Sequence, residues 1–229
     1  MKEVFFKFPS TPHLEVLGDI DIRGDKVLSS AEKIQFLSHK LIIEEKVDGA
    51  NLGISFDEHG NIRVQNRGSY LEHPFSGQWK RLSDWLELRT DALFDQLTDR
   101  YILFGEWCYA RHSVDYDRLP DWYLGFDIYD KEVGRFFSCS RRDRIFRDCA
   151  ISAAPVLGQG HFTLPALLKA LTKSSFSDKP AEGIYLRFDR GDWLAGRAKL
   201  VQPSFIQSVG GHWSRSMIKA NRLRSAVET

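Results

Sequence analysis

Charge of one sign is what this 229-residue sequence lacks most: 32 Lys and Arg stand against 31 Asp and Glu, a formal net charge of +1. No whole-molecule basic field advertises a nucleic-acid partner, so any such contact must come from local patches. Cysteine is scarce as well. Cys108, Cys139 and Cys149 form neither a CxxC pair nor an even set, which argues against a disulfide framework and for a reducing compartment with thiols packed as small hydrophobes. No apolar run approaches membrane-spanning length, and the N-terminal apolar patch is broken by Lys7, Pro9 and Pro12, against a signal peptide. A cytoplasmic chain without membrane contact is the expectation. The seven histidines are scattered without HExxH, HxE or Cys/His ligand spacing, so no zinc site is expected. A GxxxxGK[ST] loop is missing too, which excludes P-loop ATP binding.

What is present is a foldable chain. A hydrophobic content of 42% supports a substantial core and argues against disorder. Without repeats or long linkers, residues 1–229 read as one domain with a short, basic, helical tail from about residue 203, carrying Arg215, Lys219, Arg222 and Arg224. Leu41 to Lys46, Asn51 to Asp57 and Ile62 to Asn66, separated by turn signals, read as an antiparallel meander. Trp79, Leu82, Leu86, Leu93 and Leu97 recur at helical spacing and predict one amphipathic helix between Gly77 and Arg100. Tyr101 to Trp107 and Trp122 to Tyr129 read as buried strands. Ser140 to Cys149 reads as a helix capped by Ser140, whose Arg141, Arg142, Arg144 and Arg147 alternate with acids as a solvated face. Thr163 to Lys173 is a further helix, and Glu182 to Phe188 with Trp193 to Val201 a strand pair about an Asp189–Asp192 turn. Strands and helices mixed without βαβ alternation predict an α+β fold with antiparallel sheets.

The chemistry sits at strand ends. Charged groups a buried strand would not choose occur in EEKVDG (44–49), GEW (105–107), FDIY (126–129), EGIY (182–185) and RAKL (197–200). Converging on a cleft, they would gather two lysines, the arginines Arg67 and Arg197, and several carboxylates, a mix suited to a triphosphate and its metal. Lys46 is the candidate nucleophile. A free lysine is protonated at neutral pH, so its pKa must fall, and nearby Lys199, Arg197 and a metal ion would lower it. Adjacent Glu45 and Asp48 push the other way unless metal, nucleotide or hydrogen bonds occupy them. Gly49 allows a tight turn or a close backbone approach.

The ordered segments KVDGAN, NRG, GEW, FDIYD, EGIYLR and RAKLV resemble the nucleotidyltransferase motifs of ATP-dependent ligases and mRNA capping enzymes. They look most like the RNA ligase branch, of the phage RNA ligase 2 and editing-ligase type, over about Lys7 to Val201. The resemblance implies an ATP-grasp-like adenylation domain in which Lys46 accepts AMP from ATP, with Mg²⁺ or Mn²⁺. It implies that Glu44 or Glu45 and Asn51 contact the nucleotide near adenine and ribose, and that Glu106 recognises the ribose. Arg67 would bind phosphate or the 5′-phosphorylated strand, and Phe126 would stack on adenine. Asp127 would lie in the metal and strand-sealing site, with Glu182 binding or positioning the metal. Arg197 and Lys199 would grip the α-phosphate. Two departures stand out: Arg197 occupies a place where this branch usually has lysine, and little chain follows Lys199, so no OB-fold domain is expected. The implied activity joins 5′-phosphate and 3′-hydroxyl RNA ends, including nicks in duplexes, with a protein partner supplying strand contacts as one version. Competing readings are a minimal DNA ligase, GTP transfer of the capping type, and a binding module without catalysis. The last would show loss of Lys46, Glu182 or Lys199, and all three are present.

Overall fold

A strand pattern of Leu41, Ile43, Ile184, Leu186, Ala198 and Leu200 gives one apolar face to a four-stranded antiparallel sheet. A computed structural model describes residues 5–18, 26–208 and 218–225 of the chain; Arg215 lies outside them. The sheet runs in the order β10 (Trp193–Val201), β9 (Gly183–Arg190), β1 (Leu41–Lys46), β8 (Val156–Gly160). Its apolar face packs on α1 (Ser30–Leu37) and α5 (Leu164–Lys169) through Phe36 and Leu167, with Leu14 beside them. Ser29 starts α1 with a capping box closed by Glu32, and Thr163 caps α5.

The second sheet runs β3 (Ile62–Gln65), β2 (Ala50–Phe56), β4 (Tyr101–Trp107), β5 (Tyr123–Asp130), β6 (Arg135–Phe136), and β7 (Ser152–Ala153) adds to β5 as a parallel pair in an otherwise antiparallel sheet. Leu52, Ile54, Trp107 and Tyr123 on one of its faces pack against α2 (Leu82–Glu87), α3 (Thr90–Leu97) and α4 (Cys139–Asp148). The fold is therefore α+β with antiparallel sheets, as expected. Each sheet buries one face under helices, and the other faces border a cleft. No helix among the described residues is long and apolar enough to cross a membrane.

Four local expectations change. The meander breaks after its first strand: β2 and β3 form a hairpin, but β1 pairs with β8 and β9 in the other sheet. Val47-Asp48-Gly49 is thus a crossing between sheets, made tight because a Cβ on Gly49 would lie 2.9 Å from both Cys108 Sγ and the Trp107 carbonyl. The single helix over Gly77–Arg100 is a 3₁₀ turn (Gly77–Trp79) followed by α2 and α3. Arg89 leaves helical geometry at φ −130° and aims its guanidinium at Asp121, 2.8 Å away. Helix α4 is capped two residues earlier than expected, by Ser138 rather than Ser140. It buries Cys139, Arg142 and Phe146 together, so Arg142 is not on a solvated face. The tail contains α6 (Pro203–Ser208), but residues 218–225 are extended rather than helical.

Gly183 opens β9 opposite both Lys46 and Val201. A Cβ there would lie 2.2 Å from the Leu200 carbonyl oxygen and 3.0 Å from Val201 Cα, backbone atoms that cannot rotate away. Gly183→Ala is expected to destabilise the fold by about 1–3 kcal/mol, measured as a lower midpoint in chemical denaturation with an unchanged slope.

Candidate active site

Pairing register decides which side chains meet. Across the first sheet, Glu44, Tyr185 and Lys199 lie in one row on the same face, with Lys46 and Gly183 in the row above. Across the second sheet, Asn51, Glu106 and Leu124 form a matching row. These rows line one cleft between the sheets, completed by Phe126 on β5, by Arg67 after β3, and by Phe8, Pro9 and Thr11 of the N-terminal segment. Eight residues selected from sequence therefore share the cleft: Glu44, Glu45, Lys46, Asn51, Arg67, Glu106, Phe126 and Lys199. Glu182, just before β9, reaches the same point, and its Oε2 accepts a hydrogen bond from Lys46 Nζ at 2.6 Å.

Arg197 and Asp127 are not among the lining residues. Arg197 shares a strand face with Lys199 but sits one row deeper, beside Arg187. Its guanidinium lies over the rings of Phe8 (4.6 Å) and Phe136 (4.5 Å) and donates to Asp127 Oδ2 at 3.1 Å. Asp127 is fully buried, and its other oxygen accepts from Arg187 Nη1 at 2.9 Å. Two arginines hold its carboxylate, one at each oxygen. Both residues belong to the support behind the site.

That support is a buried ionic network. Arg142 Nη2 donates to Glu44 Oε1 at 2.7 Å, and Arg187 approaches Glu44 Oε2 at 3.9 Å. A β-bulge makes the link: Phe104 pairs with Asp127 and Gly105 with Gly125, so Phe126 is left without a ladder partner. Its carbonyl accepts instead from Arg142 (2.6 Å) and Arg187 (3.2 Å). Sequence reading missed Arg142 and gave Arg187 no role. The signal for Arg142 was its position three residues after Cys139 and four before Phe146 on an apolar helical phase. Tyr185 was also missed, though alternate spacing with Arg187 was available. Nothing in the sequence pointed to Phe8, Pro9 or Thr11.

Glu44 and Glu45 differ by one residue and hence by face. The Glu45 carboxylate accepts from Ser174 Oγ and from the Ser175 amide (2.8 Å). Glu44 Oε2 and Asn51 Oδ1, both buried in residues bordering the cleft, make no hydrogen bond within the protein. Buried acceptors in this condition call for a ligand or water.

The electrostatics reverse one expectation. Burial pulls the Lys46 pKa down, but Glu182, Glu106 and Asp48 outweigh it, and the net shift is upward. Lys46 is an ion-paired ammonium here, not a lysine depressed by Lys199 and Arg197. Burial likewise pushes Glu106 up to about 8, against the pull of Lys46, and raises Glu182. Asp48 is occupied by hydrogen bonds: its Oδ2 accepts from the amides of Ser113 (2.6 Å) and Val114 (2.9 Å). No three His, Cys, Asp or Glu side chains gather as a metal cage among the described residues. Glu182 instead offers a sparse carboxylate site. Such a site fits magnesium, which binds through one or two carboxylates, waters and substrate phosphates.

The lysine of the KVDG crossing, set in a cleft with Lys199, Glu106 and Glu182, has a match in sequence space: residues 39–201 fit the family model described as RNA ligase. The chain belongs to the RNA ligase family. Solved structures of an RNA ligase from Naegleria gruberi share its fold. A mutant with AMP and Mn is 15% identical with a TM-score of 0.59, covering 76% of this chain and 53% of that one. A mutant with ATP and Mn is 17% identical, with the same TM-score and coverage. An apo mutant is 17% identical, with a TM-score of 0.55 and coverage of 80% and 54%. This chain thus spans about half the length of those ligases. No curated protein matches it.

Within this RNA ligase family member, Arg142→Met leaves the Glu44 carboxylate buried without its strongest partner. The expected cost is about 3–5 kcal/mol in urea denaturation. A paired Arg142→Met, Glu44→Leu variant should recover a large part of it.

Proposed function

We propose that this chain is the adenylating domain of an ATP-dependent RNA ligase, in which Lys46 becomes covalently bound to AMP. The observation that carries the reading is the placement of Lys46 Nζ, 2.6 Å from Glu182 Oε2, in a cleft that also holds Lys199, Glu106 and Arg67. The AMP, ATP and Mn named with the Naegleria gruberi structures support the same ligand class.

Adenine lies against Phe126, with Glu44 Oε2 and Asn51 Oδ1 as acceptors for donors of the base or ribose, and Glu106 at the ribose. Lys199 neutralises the α-phosphate, and Arg67 faces the outer phosphates or the 5′-phosphorylated strand. Lys46 is held as an ammonium in the resting site, and the Glu182 carboxylate is the nearest acceptor for its proton. Disengaged from Glu182, the amine keeps the desolvation that favours its neutral form. It then attacks the α-phosphorus of ATP: a nitrogen–phosphorus bond forms and pyrophosphate leaves. AMP passes next to a 5′-phosphate end, giving a 5′–5′ pyrophosphate linkage, and a 3′-hydroxyl attacks that end to release AMP. Positioning and charge stabilisation dominate each displacement. Magnesium or manganese, held through Glu182 with phosphate oxygens and water, would neutralise triphosphate charge. Asp127 and Arg197 serve the sealing steps by fixing the cleft walls. The substrate class is RNA ends, including nicks, with strand contacts from a partner as one form of the reaction.

The test is incubation of the full chain with Mg²⁺ and α-labelled ATP or GTP, beside Lys46→Ala. Acid-stable label from ATP, abolished in the variant, is expected. Lys199→Ala should slow label uptake about 100-fold or more, the scale for removing one charge-stabilising donor. Label from GTP alone would move the reading to capping chemistry. No label on folded protein, shown by mass to be free of AMP, would refute it.

A further inference from the structure

The turn that carries Lys46 is held from outside. Asp48 caps the amides of Ser113 and Val114, and its own N–H donates to Tyr116 Oη at 2.8 Å. Tyr116 is fully buried, so this phenol is a fixed acceptor. Residues 108–119, between β4 and β5, therefore form the floor on which the Val47-Asp48-Gly49 crossing rests. The contact is close enough that Cys108 Sγ occupies the space a Cβ on Gly49 would need.

That floor is in turn clasped by residues 218–225. Asn221, only 2% exposed, accepts from the Tyr116 amide through Oδ1 at 2.9 Å. Its Nδ2 donates to the carbonyls of Cys108 (2.8 Å) and Ala110 (3.3 Å). Both amide protons and one of the two carbonyl lone pairs are used, three of the four bonds an asparagine side chain offers. Backbone bonds run alongside: Arg111 N to the Lys219 carbonyl (2.8 Å), Asn221 N to that of Tyr109 (2.9 Å), and Arg222 N to that of Tyr116 (2.9 Å). The neighbours Lys219, Arg222 and Arg224 are exposed. The side chain sewn into the molecule is thus the uncharged one, while the basic residues flank it in solvent.

We propose that Asn221 is a positioning residue for lysine adenylylation: through Tyr116 and the 108–114 backbone it fixes Asp48, and with it the turn that presents Lys46. The proposal rests on the adenylating role of Lys46. Small errors in nucleophile placement are costly, because a displacement of about 1 Å can slow a positioned reaction about 100-fold. A clasp that acts by positioning changes the rate of AMP transfer rather than the affinity for ATP.

Asn221→Asp separates these effects. It keeps an oxygen for the Tyr116 amide but turns a second oxygen on the Cys108 and Ala110 carbonyls. Single-turnover formation of AMP-protein, followed by intact mass, gives a rate constant, a half-saturating ATP concentration and a final amplitude. The expectation is a rate constant lower by about tenfold or more, with half-saturation changed less than about threefold and amplitude retained. Loss of amplitude in step with melting, at the wild-type rate constant, would make Asn221 a stabilising residue only and overturn the proposal. Should Asn221→Asp fail to fold, Tyr116→Phe removes one oxygen at the far end of the same chain and carries the same expectation. Amide hydrogen exchange at Asp48, Ser113 and Val114 reads the linkage without catalysis: faster exchange in either variant supports it, and unchanged exchange overturns it. A wild-type chain that takes no AMP would defeat the adenylating role, while exchange would still decide the clasp.

Discussion

Two sheets form this cleft, and one buried ionic network sets how they face each other. Glu44 on β1, Arg187 on β9 and Arg197 on β10 belong to one sheet; Asp127 on β5 and Arg142 on α4 belong to the other side. Every bond in the Glu44–Arg142, Arg187–Asp127 and Arg197–Asp127 series crosses between them. Taking such charges out of water costs several kcal/mol per ion, and their attraction only about repays it. We read the network's role as registry rather than net stability. An apolar filling would tolerate a range of slides between the sheets, whereas paired guanidinium and carboxylate groups at 2.7–3.1 Å tolerate few.

The site itself runs on the opposite policy. Behind the cleft each carboxylate has its arginine. Inside it, Glu106 and Glu182 both act on the ammonium of Lys46, and burial raises both of their pKa values. The carboxylates outweigh the desolvation of Lys46 and keep it charged. A charged Lys46 is the natural consequence for as long as that pairing holds. Glu44 Oε2 and Asn51 Oδ1 add unmet acceptors on the same walls. Unmet acceptors and carboxyl groups raised by burial, gathered on the walls of one cleft, mark where a ligand belongs.

The sequence was legible where chemistry and period coincide. Lys46, Glu106, Glu182 and Lys199 stand at strand ends, and strand alternation carries them into one space. Arg197 shows the limit of that rule. Period two puts it on the same face as Lys199 but cannot say how far the cleft reaches, and, one row on, Arg197 lies beside the fully buried Arg187 with its guanidinium engaged by Asp127. Phe126 and Asp127 were separated by a bulge, and a one-residue insertion in pairing leaves no mark on hydrophobic spacing. Arg142 was misread because arginines among acids look solvated, although helical spacing places it on one face with Cys139 and Phe146. The broken helix over Gly77–Arg100 had the apolar spacing of a continuous one; its break depends on Asp121, which lies 32 residues beyond Arg89.

The same distinction explains why a crossing such as Val47-Asp48-Gly49 draws partners from distant sequence. Leaving β1, the chain has no strand neighbour to satisfy its polar groups until β2 begins at Ala50. A buried N–H without an acceptor costs as much as the loss of a hydrogen bond. Tyr116 Oη accepts from Asp48 N, 68 residues later, and Asn221 holds the Tyr116 backbone from 105 residues further on. The short KVDG segment therefore supplies the lysine of the proposed reaction but not its orientation. Orientation comes from contacts of high sequence separation, which no local pattern records. A motif of this kind consequently identifies the chemistry more readily than the residues that aim it.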